Sequence, residues 1–447
     1  MKISISDHFT VKKILLFSLP CIGMQLVDNT YQVVDGYFIS NFLGESVFAA
    51  ENMIFPPLAL IMSLGLVMGA GGSAIISAYL GEGKEDRARQ TLSMLSVFLF
   101  IGGIIISALA FLFMPNIAKM AGAPESLVPY CTVYGRILSS LMPVQMMNYA
   151  FQEYLIAADQ GKLGFISSVV NAVTNIVLDF AFVGFFGWGL WGAALATGLA
   201  WCVSCVVAFS YFVNKKHRLH FMRFKIHMGD TLLALGNGSS EMVDAVSYVI
   251  VAIIFNRRLI ALLGERGVAS YAVTEYMTGV FAAIFMGIGI AMIPVIGFRY
   301  GEKNFEELKK LRNDGLKLAA ISGTIMMCLA LLLSGVVARI FVGYDLELKA
   351  MATLALRVCA FAYALSGINM FSSSFFTGIS DGLASAVIAA MRSFAMPLIF
   401  VFLLPYLFGH DGIWFTTLAA EVVGVCVVIV LYRLRFTKGL KWGREDE

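Results

Sequence analysis

Runs of about twenty or more apolar residues recur along nearly the whole chain, separated only by short polar patches, and no water-soluble core has room for so many of them. Hydrophobic residues fill 59% of the 447 positions and charged residues 14%, against about 45–50% and about 25% in an ordinary soluble domain. Twelve spans of about 22 residues would use ~264 residues, which leaves no space for a separate soluble domain. The expected fold is therefore an all-α integral membrane protein.

Apolar runs bounded by charges and turn residues place the spans near 14–40, 48–77, 91–114, 130–157, 163–183, 189–213, 231–256, 268–298, 315–337, 350–378, 384–406 and 411–433. The first of these follows Lys2, Lys12 and Lys13 and runs through Pro20 and Asp28 without a small-residue cleavage site, so it reads as a retained span, not a signal peptide. Lys and Arg gather in the termini and the connections on their side. The opposite connections hold few, among them Arg257, Arg258 and Arg266, so both termini are expected in the cytoplasm of a cell-membrane protein.

The sequence repeats. Leu43-Gly44-Glu45 returns as Leu263-Gly264-Glu265, and Gly81-Glu82 as Gly301-Glu302, both 220 residues on, while Gly69 answers Gly289. Gly161 answers Gly382, Gly189-Leu190-Trp191 answers Gly412-Ile413-Trp414, and Val27-Asp28 answers Val243-Asp244. Six spans per copy is an even number, so the copies run parallel, related by an axis along the membrane normal. The domain reading is an amino-terminal lobe over 1–213, a basic connection over 214–230 with Lys215, Lys216, Arg218, Arg223 and Lys225, and a second lobe over 231–447. Two similar lobes about a central cleft is transporter architecture.

The seven cysteines lie in apolar runs and the five histidines in polar connections, which argues against disulfides, a zinc site or an intramembrane haem. No GxxxxGK[ST], GxSxG or HExxH pattern occurs. An enzyme or a receptor is disfavoured, and no cofactor is expected beyond a coupling ion.

An acid inside the bilayer costs about 2.5–3.5 kcal/mol even on lenient scales, so each needs a partner or a task. Gln25, Asp28, Gln32 and Asp35 fall at steps of three, four and three on one face of span one, and Asn171, Asn175 and Asp179 at steps of four on one face of span five. At 1.5 Å per residue Asp35 lies ~9 Å below the outer surface, Asp179 ~7 Å, Asn175 ~13 Å and Thr197 of span six ~12 Å, so the four can converge. Two carboxylates, an amide and a hydroxyl suit a hard cation such as Na⁺, or a proton. A helix-to-helix hydrogen-bond network would use the same spacing.

Other polar residues receive structural expectations first. Arg392 and Glu421 share a depth and are expected to pair, as are Glu275 and Arg357. Glu51, Glu153 and Asp159 near span ends are expected to be solvated, and Arg136 and Arg299 to snorkel. Gln145, Asn148 and Gln152 share a face of span four and could contact substrate.

Ser18-Leu19-Pro20, Val34-Asp35-Gly36-Tyr37-Phe38-Ile39-Ser40, Leu43-Gly44, Ala49-Ala50 and Tyr79-Leu80-Gly81-Glu82-Gly83 together resemble the first two helices of the multidrug and toxic compound extrusion family. In pattern the chain is similar to the DinF-like branch. The resemblance implies a cation-coupled (H⁺ or Na⁺) antiporter that exports amphipathic, often cationic compounds by alternating access, and a monomer. It implies Asp35, Asn175, Asp179 and Thr197 as the ion-coupling set and Asp244 as the acid of the seventh helix, with Glu241 one turn before it. Asp28, Gln32 and Asn171 join Asp244, Glu241 and the span-four amides as substrate-contact candidates. Where some relatives carry an acid in the eleventh helix this chain has Arg392, Met396 and Phe400. The alternative reading, a flippase for lipid-linked saccharides or lipids, needs a cationic cavity, which the buried acids oppose.

Overall fold

The computed structural model describes residues 3–437. Among them there is no strand, and twelve membrane-crossing helices follow one another. The first lobe holds α1 (Val11–Leu43), α2 (Glu45–Gly81), α3 (Glu85–Leu112), α4 (Val128–Ala157), α5 (Gly161–Asp179, extended by a π turn, Phe180–Phe185) and α6 (Gly189–Val213). The second holds α7 (Met228–Asn237, resuming at 239 and ending at 263), α8 (265–301), α9 (Phe305–Val342), α10 (Leu346–Gly378), α11 (Gly382–Ala389, a π turn Ala390–Ala395, then Met396–Phe408) and α12 (a 3₁₀ turn His410–Phe415, then Thr416–Thr437). By length and apolarity alone nine helices among the described residues are fit to cross a membrane, the 63-residue stretch Ser239–Gly301 counting once; α1 and α4, which carry polar stripes, are not among them.

The helices overrun the expected spans, most at 257–267. That stretch reads as a loop because of Arg257, Arg258, Glu265 and Arg266, yet it is helical on both sides of Gly264. Charge at a membrane surface does not end a helix. The break comes from Gly264 alone, at φ 65°, and its repeat partner Gly44 stands at φ 86°, a left-handed region that glycine enters without steric cost. Two further turns keep the same hand in both lobes, Gly83 with Lys303 and Asp159 with Ser380. The basic connection is likewise shorter than expected, because helix resumes at Met228 and Asp230 is drawn against the first lobe: Tyr79 donates to it at 2.9 Å, Thr91 at 3.1 Å, and Arg87 pairs with it at 3.0 Å.

Glycine sets how the lobes meet. A Cβ on Gly81 would lie 2.0 Å from the Phe298 carbonyl oxygen, and one on Gly301 would lie 1.9 Å from the Ala78 carbonyl oxygen. Ala78 and Phe298 are themselves 220 residues apart, so α2 and α8 touch backbone to backbone through a pseudo-two-fold contact. Gly297 against Ala74 and Gly71 against Ala234 extend that contact toward mid-depth. In lipid, where apolar surface gains nothing by association, such close backbone approach is the main source of helix affinity.

Lobe-to-lobe hydrogen bonds and ion pairs among the described residues all lie on this glycine-packed side or at mid-depth. The outermost is Asn29 to the Gly279 carbonyl at 3.4 Å, fourteen residues in from the end of α1, so about 20 Å of each lobe beyond it is not cross-linked. Tyr37, Tyr248 and Tyr276 in that outer half are 57–69% exposed. The lobes are thus closed at the end bearing the amino terminus and parted at the other. Arg299, expected to snorkel, is instead 7% exposed and donates to the Ser6 and Asp7 carbonyls at 2.6 and 2.9 Å while pairing with Glu302. It ties the amino-terminal segment under the closed end. Arg136 is half-buried and donates to the Phe111 carbonyl at 3.2 Å.

Candidate functional site

The two polar stripes do meet. Asp35 of α1 is 6% exposed, Asp179 and Asn175 of α5 are fully buried, and Thr197 of α6 is 3% exposed. Asn175 Nδ2 donates to Thr197 Oγ1 at 3.3 Å, and that hydroxyl donates to the Ala193 carbonyl at 3.2 Å. Asp179 and Asn175 lie against the Asp35 carboxylate. Spacing explains the convergence: Asn171, Asn175 and Asp179 share a face of α5, and a π turn begins one residue after Asp179. Such turns widen a helix locally and often accompany functional side chains.

What the cluster lacks is partners. Both oxygens of Asp179, Asp35 Oδ1, Asn175 Oδ1 and Asn171 Oδ1 are buried without a hydrogen-bond partner, and no Lys, Arg or His among the described residues forms an ion pair with Asp35 or Asp179. Unmatched buried acceptors cost several kcal/mol each in such surroundings. An oxygen-only pocket with spare acceptors is fit to take a proton or a hard monovalent cation.

Glu51 of α2 belongs to this cluster, contrary to its expected solvation. Its carboxyl lies against Asp35, Tyr134 of α4 reaches it at 3.5 Å, and Glu51 Oε2 is buried without a partner. The reason is helix length. The expected span begins at 48, which puts Glu51 near the surface, but α2 begins at Glu45, which sinks Glu51 to ~9 Å, the depth of the site. Glu153 is also buried, at 4%, because the α2 backbone at Gly69 packs over it. Asp159 accepts from Ser4 Oγ and the Ile5 amide, both at 2.7 Å, and so pins the amino-terminal segment.

The remaining candidates are spread along the lobes. Asp28 is half-buried against Ser168, Gln32 is exposed, and Asn171 is buried. Gln145 and Asn148 are buried and bonded to each other at 3.3 Å, with Ser204 of α6 donating to Asn148 at 3.1 Å, while Gln152 donates to Ser168 at 3.2 Å. These amides face neighbouring helices of their own lobe. Glu275 and Arg357 do not pair: Arg357 donates to Ser334 Oγ at 3.3 Å and Glu275 turns to Tyr271. Equal depth says nothing about which way around its helix a side chain points.

The equivalent place in the second lobe holds a cation among its acids. Arg392 reaches Asp244 at 3.2 Å and, as expected, Glu421 at 3.4 Å. Ser366 Oγ donates to Glu421 at 2.9 Å, Asn369 also donates to its carboxylate, and Glu241 lies near Asp244 and Arg392. Asp244 is therefore a paired acid, not a free one. Arg392→Met strands Glu421 and is expected to cost about 3–5 kcal/mol of stability, read as a loss of folded yield. Arg392→Met combined with Glu421→Met should recover most of that yield.

Two six-helix lobes closed at one end of a cleft, with an acidic pocket that no cation partners in one lobe and an arginine-paired acid network in the other, define a multi-pass membrane transporter. The MatE family model matches residues 20–181 and 242–403, once in each lobe, and the chain belongs to that family. Its members are transporters and not enzymes. The chain is similar to the probable multidrug resistance protein YoeA of Bacillus subtilis (24% identical over 436 residues, covering 95% of this chain and 93% of that one). It is also similar to the multidrug export protein MepA of Staphylococcus saprophyticus (23% identical, covering 95% and 94%). Among solved structures, one of a MATE in its straight conformation matches at a TM-score of 0.90 and 23% identity, covering 96% of this chain and 97% of that one. One in the bent conformation matches at 0.89 and 24%, covering 96% of each.

Proposed function

We propose that the protein is a cation-coupled multidrug exporter in which Asp35, Asn175, Asp179 and Thr197 bind the coupling ion, a proton or Na⁺. The observation that carries this reading is the pair of buried carboxylates with unpartnered oxygens on α1 and α5. Loading the pocket removes that penalty and draws α1 toward α5 and α6; unloading releases it. Pro20 lies inside the unbroken helix α1 and deletes one backbone hydrogen bond, so α1 can bend there at small cost. The related MATE structures named for straight and bent conformations support a helix or lobe that takes two shapes. Relatives named for multidrug export and resistance support amphipathic small molecules as cargo. We place the protein in the cell membrane as a monomer with both termini cytoplasmic, so that the parted end faces outward.

Purified protein in vesicles loaded with ethidium tests the proposal. Dye movement should follow an imposed pH gradient, an imposed Na⁺ gradient, or both, and stop when the gradient is collapsed. Movement that ignores both gradients would reject ion coupling.

A further inference from the structure

The closed end is fastened twice, and the two fastenings repeat one another. Tyr79 near the end of α2 and Arg87 in the first turn of α3 belong to the first lobe; Arg299 near the end of α8 and Glu307 in the first turn of α9 stand 220 residues on, in the second. Each pair reaches across to the segment that starts the other lobe. Tyr79 donates to Asp230 of α7 at 2.9 Å, Arg87 pairs with the same carboxylate at 3.0 Å, Thr91 of α3 donates to it at 3.1 Å, and Arg87 Nε braces the Tyr79 hydroxyl at 3.3 Å. Arg299 donates to the Ser6 and Asp7 carbonyls ahead of α1 at 2.6 and 2.9 Å, and Glu307 pairs with His8. The roles are exchanged: the acid sits on the caught segment in the first lobe's grip and on the catching helix in the second's.

Asp230, Arg299 and Glu307 are each 6–7% exposed, so these contacts are shielded from the solvent that makes surface ion pairs nearly worthless. The amino-terminal segment is also held by its own lobe, through Ser4 Oγ and the Ile5 amide on Asp159, both at 2.7 Å, and by the buried ring of Phe9, edge-on to Phe17 at 5.5 Å. It is therefore a strap with one anchor in each lobe. We infer that the two grips are reciprocal latches of the closed end, both of which must release before the cleft opens there. The inference rests on the reading that the cleft opens at alternate ends and adds what holds one end shut. The latches act in parallel, because each joins the lobes by itself. Asp159 and Arg299 act in series: cut from Asp159, the strap can travel with Arg299, hinging ahead of Val11.

Parallel and serial links give different arithmetic. With the seven native cysteines replaced, Ser77→Cys, fully buried on α2 beside the seam, reacts with a water-soluble maleimide only when this end opens, at a rate that tracks the open fraction. Asp230→Asn and Arg299→Gln should each speed labelling by about 5–150-fold, and together by the product of the two factors, as independent contributions do. Asp159→Asn should also speed labelling and multiply with Asp230→Asn, but add nothing to Arg299→Gln. Where Asp230→Asn does not fold, Arg87→Gln opens the same latch from its half-buried side. Folded variants that label at the parent rate overturn the inference, because a merely structural role lowers folded yield and leaves the rate alone. Asp159→Asn multiplying with Arg299→Gln overturns the strap. Dye transport that ignores both gradients would reject ion coupling and leave the latches standing, so the two failures are separate.

Discussion

Asp35→Asn is expected to reduce gradient-driven ethidium transport to the level of empty vesicles, with folded yield in detergent unchanged. The substitution keeps shape and hydrogen-bonding reach but removes the charge that alternates between loaded and empty states. It also relieves an unpartnered carboxylate oxygen, so stability should hold or rise while function is lost. A merely structural Asp35 would show the reverse, with transport intact in whatever fraction folds. Asp179→Asn is expected to behave alike, because both acids serve one pocket.

Gly301→Ala is the second large effect. Its new methyl would fall 1.9 Å from the Ala78 carbonyl oxygen, and both partners are helix backbone, which cannot rotate aside. The cost of overpacking, about 1–3 kcal/mol, falls only on the arrangement in which α2 and α8 touch. The closed end should open, with a change in population of about 5–150-fold. In a protein lacking its seven native cysteines, Ser77→Cys lies buried at this seam, and its labelling by a water-soluble maleimide should accelerate once Gly301 is replaced. Gly229→Ala, which meets nothing within 4 Å, should leave labelling unchanged.

The twelve crossings and the doubled lobe are written in periodicity and in recurring glycines, and the structure returns the same turn at Gly44 and Gly264. Asp35, Asn175, Asp179 and Thr197 could be brought together on paper because helix rise converts residue number to depth, and three of the four lie on two stripes. That arithmetic fails wherever an end is misjudged or direction around the axis matters. Three residues at the start of α2 hid Glu51, and azimuth separated Glu275 from Arg357. Arg392 was expected beside Glu421, but its second partner, Asp244, comes from a helix some 150 positions away and had no local signal. Arg299 looked like a surface anchor because nothing in its neighbourhood shows that the amino-terminal segment folds beneath it.

The account turns on the occupancy of one pocket governing the arrangement of the lobes. Spin labels at positions 37 and 248, exposed tyrosines on the outer halves of α1 and α7, report that arrangement directly by pulsed electron–electron dipolar spectroscopy. The distance distribution of the otherwise wild-type protein should shift as the coupling ion is added or withdrawn, and the same labels on Asp179→Asn should give one distribution under every condition. A full shift in the Asp179→Asn protein would show that the ion acts elsewhere and contradict the account.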